Sequence, residues 1–124
     1  MNTRQSNGID TQSDIEEASC CTPVSSPLSE RELATDVRAL SAIGNDTRYE
    51  ALRIVAAAEN GVCVCELEPA LGVTQGAISQ ALSRLYGAGL VTRRKEGRWR
   101  YYSVTPRAER LLDVLDDTRE VDDE

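Results

Sequence analysis

The chain has no histidine and no phenylalanine, and only one lysine, one methionine and one tryptophan among its 124 residues. Without histidine there is no imidazole base for catalysis and no nitrogen ligand of the usual zinc finger. Cys-x-x-Cys spacing and a glycine-rich phosphate loop are missing as well, so an enzyme such as a small dithiol reductase is the weakest reading. Long apolar runs are also lacking. The longest, Ile54 to Ala58, is far too short to cross a bilayer, and no membrane association is expected. The polar, acidic N-terminus has no basic segment leading into an apolar one, so no secretion signal is read and a cytoplasmic location is expected. The length leaves room for one domain with one core and a few helices.

Charge is abundant but unevenly spread. Residues 73–107 carry Arg84, Arg93, Arg94, Lys95, Arg98, Arg100 and Arg107 against Glu96 alone, a local +6 within a total of −7, which leaves −13 for the remainder. A basic island in an acidic chain is the pattern of one face meeting a polyanion. Thirteen arginines against one lysine, with 21 acidic residues, suggest a halophilic protein kept hydrated by an acidic surface. Counterion release contributes little to DNA affinity in high salt, so shape fit and base contacts must supply more.

Residues 1–27 are polar, lack apolar periodicity and read as a flexible arm. Ser29-Glu30-Arg31-Glu32 is a capping box, and Leu33, Val37 and Leu40 follow at helical spacing as far as about Ile43. After Gly44-Asn45, Asp46 or Thr47 caps a second helix with Leu52 and Val55 inward, stopped by Asn60-Gly61. A short third helix is expected from Cys65 to Leu71, and a fourth begins at Thr74 with Ile78, Leu82 and Leu85 inward. The tight Leu71-Gly72-Val73-Thr74 connection makes these two a helix-turn-helix. Two β runs, Leu90 to Arg94 and Trp99 to Val104, flank a turn containing Gly97. Thr105-Pro106 opens a last amphipathic helix, and residues 117–124 form an acidic tail. The expected fold is mainly α with a small β-hairpin wing, an α+β winged helix-turn-helix over residues 28–116.

Thr74, Gln75, Ser79, Gln80, Ser83 and Arg84 fall on or beside the polar side of the fourth helix. Short and amide side chains let a helix lie close in the major groove, where glutamine pairs with adenine through two hydrogen bonds. An ordinary polar helix face has the same pattern in isolation. The tight turn before it and the basic hairpin after it (Arg93, Arg94, Lys95, Arg98, Arg100) favour duplex DNA over RNA, with the hairpin straddling phosphates or entering the minor groove. Trp99, Tyr101 and Tyr102 divide between core and cover.

Three stretches carry a resemblance to a known family. They are Ala42 to Ile54 (AIGNDTRYEALRI), Val62 to Leu67 (VCVCEL) and Leu71 to Leu82 (LGVTQGAISQAL), followed by Gly89-Leu90-Val91 into the wing. In this order, over roughly residues 33–115, the chain resembles the ArsR/SmtB family of metal-responsive repressors. The resemblance implies a homodimer joined by its first and last helices, binding an inverted-repeat operator in double-stranded DNA, and repression relieved by an inducer. Apolar stripes on both terminal helices agree with the dimer, since a small core cannot hide both.

Four cysteines form two close pairs, Cys20-Cys21 and Cys63-Val64-Cys65. Where thiols stay reduced, close cysteines point to metal binding or redox chemistry before structural disulfides. Soft thiolates select soft acceptors. Trivalent arsenic or antimony takes three in a pyramid, and cadmium or lead takes three or four. Cys63 and Cys65 lie at the start of the third helix, where both sulfurs can face one side and the positive helix end favours thiolates. Small buried apolar cysteines are the plain alternative.

Arsenic sensors of the family with a wholly helical site carry a third cysteine where this chain has Glu68. Other members bring cysteines from an N-terminal arm to the Cys-x-Cys pair of the opposite subunit. The resemblance therefore implies an intersubunit site of Cys63, Cys65 and one or both of Cys20 and Cys21. The family's Asp/Glu/His site on the last helix lacks its histidines here. A thiol-redox-responsive regulator and a ligand-independent DNA-binding module remain as alternatives.

Overall fold

The structure is a computed structural model that describes residues 21–120. Residues 21–29 contain no helix or strand; most of the expected arm, including Cys20, and the end of the acidic tail lie outside the described residues. Helix α1 spans Glu30–Ile43. The expected capping box closes it reciprocally: Ser29 Oγ accepts from the Glu32 amide at 3.0 Å, and Glu32 Oε1 accepts from the Ser29 amide at 2.9 Å. At its other end, Arg48 Nε donates to the Ala42 carbonyl at 2.8 Å, and Arg48 Nη2 to that of Ser41 at 3.3 Å. This arginine satisfies two end carbonyls that the helix leaves over.

Helix α2 covers Asp46–Ala57. Its cap is Asn45, whose Oδ1 accepts from the Arg48 amide at 3.0 Å, one residue before the expected Asp46 and two before Thr47. Asparagine is among the preferred caps because its short amide reaches the third helical N–H. A two-residue strand, β1 (Val62–Cys63), then leads directly into helix α3 (Val64–Leu71). Gly72 ends α3 in the left-handed conformation at φ +69°, and its amide bonds to the Glu68 carbonyl at 3.0 Å. A side chain at that φ is strained, which explains glycine in the turn. Helix α4 (Gln75–Gly87) is capped by Thr74, whose Oγ1 accepts from the Ala77 amide at 3.1 Å.

Strands β2 (Val91–Glu96) and β3 (Trp99–Val104) make the hairpin, with Gly97 at φ +64° in its two-residue turn. The sheet is antiparallel throughout, in the order β1-β3-β2. Helix α5 runs from Pro106 to Thr118, two residues into the stretch expected as tail. Its cap, Thr105, also accepts from the Ala108 amide at 3.2 Å, and its hydroxyl donates to the Gly89 carbonyl at 3.0 Å. One side chain thus ties the start of α5 to the end of the helix-turn-helix.

Leu52, Leu67, Ile78, Leu82, Leu85 and Leu90 fill the centre, drawn from α2, α3, α4 and the approach to the hairpin. No polar or charged residue among those described is buried. A dry leucine core of this kind fixes α4 against α2 and α3, and truncating one of these leucines to alanine costs about 2–5 kcal/mol.

Candidate nucleic-acid interface and thiol site

All six polar residues expected on the reading face, Thr74, Gln75, Ser79, Gln80, Ser83 and Arg84, are exposed, while Ile78, Ala81, Leu82 and Leu85 turn inward. Gln80 and Arg84 also border a cavity of about 190 Å³ shared with Asn45, Thr47 and Arg48 of the α2 start. The sequence reading missed that second element. Its signal was available: a helix start preceded by Asn-Asp-Thr and carrying an arginine offers donors to an anion.

The hairpin register sorts the basic residues onto two faces. Cross-strand partners share a face, so Arg93 with Tyr102 and Lys95 with Arg100 line the side that carries buried Val91. Arg94 with Tyr101 and Glu96 with Trp99 line the other. The faces differ in how their charges are used. Arg94 is committed within the molecule: its Nε donates to Glu96 Oε2 at 2.9 Å, its Nη2 to the Asn60 carbonyl at 3.3 Å, and it lies 5.2 Å from the Tyr101 ring. Arg93 stacks on Tyr86 of α4 at 3.9 Å, holding wing and reading helix together. Among the described residues, Arg84, Arg93, Lys95, Arg98 and Arg100 make no ion pair. Lys95 directly opposite Arg100 is a repulsive pair that an anion relieves.

The thiols lie at the junction of β1 and α3, just before the helix-turn-helix. Cys63 is the last residue of β1 and the N-cap of α3; it is buried, and its amide donates to Glu66 Oε1 at 3.0 Å. Cys65 is exposed in the first turn of α3, which begins at Val64, one residue ahead of the expected start. The Cys65 thiol is raised above the ordinary cysteine range, chiefly by the neighbouring Cys63 side chain, with desolvation next and the Glu66 carboxylate adding to the shift. The expected preference for thiolate at this helix end is therefore reversed at Cys65, where the neighbouring thiol and the Glu66 carboxylate outweigh the helix field. Pro69 within α3 removes the amide that an uninterrupted helix directs to the Cys65 carbonyl.

The pair connects in two directions. Through α3 and Gly72 it reaches α4, and through the β1–β3 ladder Cys63 sits opposite Tyr101 of the wing. The strand β1 had no signature of its own; two residues are too few for a pattern, and only their pairing with β3 defines them. Cys21 is exposed, and Cys20 lies outside the described residues. No three His, Cys, Asp or Glu side chains among the described residues come together as a metal site.

A helix-turn-helix with an exposed amide-bearing second helix, followed by a basic two-stranded wing, defines a winged-helix DNA-binding protein. The family described as "Bacterial regulatory protein, arsR family" matches residues 45–93, from the cap of α2 into β2. The chain is 62% identical over 100 residues to the "Putative arsenical resistance operon repressor ArsR2" of Halobacterium salinarum, covering 81% of this chain and 83% of that one. It matches the structure of HlyU from Vibrio cholerae N16961 with a TM-score of 0.63 at 30% identity, covering 72% of this chain and 96% of that one. The homodimeric winged helix-turn-helix domain of a possible ArsR-family regulator from Mycobacterium bovis aligns with a TM-score of 0.65 at 26% identity, over 75% and 88% of the two chains. The chain belongs to the arsR family, and is a DNA-binding transcriptional regulator rather than an enzyme.

Proposed function

We propose that this protein is a homodimeric repressor of the arsenical-resistance type, bound to an inverted-repeat operator until a thiol-seeking metalloid releases it. The observation that carries the reading is the Cys63–Cys65 thiol pair set at the junction of β1 and α3. Two neighbouring soft donors suit As(III) or Sb(III), with Cd(II) and Pb(II) as the second class. The relative of Halobacterium salinarum, named for an arsenical resistance operon, supports the same inducer.

Two donors do not complete a three-thiolate pyramid, and Glu68 stands where arsenic sensors with a wholly helical site have their third cysteine. Cys20 and Cys21 of the partner subunit supply the remainder in this reading. The dimer is supported by what α1 and α5 leave uncovered. Val37 and Leu40 are 53% and 64% exposed on α1, and Val114 is 57% exposed on α5. Arg107 of α5 pairs with Asp36 of α1 at 3.2 Å, holding the two helices alongside one another.

In the free dimer, the two α4 helices are spaced to meet successive major grooves. Drawing Cys63 and Cys65 together on one metalloid shifts β1 and α3, and hence wing and reading helix. A coupling of roughly 1–3 kcal/mol between ligand and DNA suffices for a five- to hundredfold release. The cytoplasmic location and the high-salt setting belong to the same reading.

Equilibrium dialysis of the reduced chain against arsenite tests the site. One arsenic per Cys63–Cys65 pair is expected, with binding sharply weakened when Cys20 and Cys21 are both replaced by alanine. Unchanged affinity in that double variant removes the arm from the site. Release by peroxide with no response to arsenite replaces the metalloid by a redox signal.

A further inference from the structure

Each tyrosine of the described chain has an occupation. Tyr102 is in the core, and Tyr49, Tyr86 and Tyr101 each carry an arginine on their rings, from Arg53, Arg93 and Arg94. Trp99 has none. It is the chain's one tryptophan, it is 52% exposed, and it belongs neither to the core nor to the residues packed against it. Tryptophan is the best of the aromatic rings at holding a guanidinium, yet no arginine among those described stacks on it. Leaving so large an apolar surface in water is unfavourable unless something covers it.

Its place says what covers it. Trp99 is the first residue of β3, immediately after the Gly97-Arg98 turn, between Arg98 and Arg100 in sequence. Glu96, directly across the ladder, is the single acid of the hairpin, and Arg94 already neutralises it. On the face of the indole Arg94 and Glu96 cancel, and Arg100 lies on the other face, so the charge beside the indole is that of Arg98 in the turn. It leaves the surroundings net positive, which suits a polyanion and repels a second copy of the same wing. Resting on the DNA-binding reading, we infer that Trp99 is a DNA-contact residue that packs its indole against the deoxyribose wall of the duplex beside the wing. The indole N–H is available to a phosphate oxygen. Its physical value lies in salt. Phosphate neutralisation weakens as counterions become abundant, whereas apolar contact does not depend on releasing them. Trp99 thus supplies a part of the affinity that survives where the arginines lose theirs.

The test is a salt series of binding to the DNA upstream of the chain's own gene, by the full-length unaltered protein and by Trp99→Ala, Trp99→Phe and Arg98→Ala. Trp99→Ala is expected to weaken binding about tenfold, a loss of about 1.4 kcal/mol, at every salt concentration and with an unchanged slope of log affinity against log salt. Trp99→Phe retains most of the affinity and covers the case in which the alanine variant folds poorly. Arg98→Ala lowers the slope by about 0.9, as one lost phosphate contact should. The emission of the single tryptophan in the unaltered protein shifts or quenches on DNA addition. Binding within twofold of the unaltered protein for Trp99→Ala, or an emission spectrum indifferent to DNA, overturns the inference while leaving the regulator reading intact. A Trp99→Ala variant whose only change is in self-association reassigns the indole to a subunit contact and also overturns it. Absence of binding by the unaltered protein overturns the regulator reading itself, and the inference with it.

Discussion

The DNA-reading side and the thiol side of this molecule are built to different degrees within one chain. The reading helix, its cap and both strands of the wing present their side chains fully placed, with Arg93 already stacked on Tyr86 across the two elements. Among the described residues, the thiol side brings two neighbouring donors to the β1–α3 junction, one buried and one exposed. Reading DNA requires a rigid surface, which a leucine core supplies locally. Under the proposed function, sensing requires a site whose completion changes the geometry of the whole, and a site left open until a ligand draws in further donors would do that. A preassembled pyramid of thiols would bind metalloid with little consequence for the helices around it.

The comparison breaks most visibly at the cysteines. Cys63→Ala and Cys65→Ala, separately, are expected to abolish release by arsenite while largely preserving DNA affinity, because Cys63 is buried and both lie outside α4 and the hairpin. A gel-shift titration with and without arsenite measures both. Next in size is the uncovered α1 face. Leu40→Glu, at a position more than half exposed, leaves the monomer folded but disrupts the pairing of subunits. Operator affinity should fall about a hundredfold as two linked contacts become one, and sedimentation should report a monomer; a dimer with normal affinity places the subunit interface elsewhere. Lys95→Ala and Arg100→Ala sharpen the wing itself. Each should lower the salt slope by about one while raising thermal stability slightly, since the repulsion across the ladder is removed. A fall in stability would mean that the pair is structural.

The smallest effect concerns the fold around α5. Arg53 Nη2 and Nη1 reach Asp116 at 2.7 and 3.1 Å, and Arg119 adds a contact at 2.9 Å. Arg53 first, then Arg119, holds the Asp116 carboxylate below the ordinary carboxylate range. The resulting stability is present at neutral pH, above the unfolded value, and is lost as pH falls through the lowered folded value. Asp116→Asn is expected to flatten that acid limb slightly in urea melts at pH 7 and pH 3. The effect is small because the pair is exposed.

Much of this arrangement was legible from side-chain chemistry. Ser29 with Glu32, Thr74, Thr105 and Gly72 each mark a boundary through a local hydrogen bond or a local φ, and local causes are visible in sequence. The exposed row from Gln75 to Arg84 followed from the inward spacing of Ile78, Leu82 and Leu85. What escaped was non-local. Strand β1 exists only because Val62 and Cys63 pair with Tyr102 and Tyr101 far along the chain. The division of the wing into a free basic face and a committed one depends on register, and a shift of a single residue would exchange them. Asn45 is not distinguished as the cap by sequence, because Asp46 and Thr47 offer equivalent oxygens beside it. The raised Cys65 thiol follows from a side-chain contact with Cys63 that spacing alone does not establish.

The central claim is that thiol chemistry at Cys63 and Cys65 controls the grip of α4 and the wing on DNA. Its most direct test is binding of the reduced full-length chain to the DNA upstream of its own gene, in high salt, titrated with arsenite. The account predicts tight binding that arsenite reverses by at least fivefold, saturating at stoichiometric metalloid. Tight binding that arsenite leaves untouched would contradict it, separating the thiol pair from the DNA-reading surface that lies beside it.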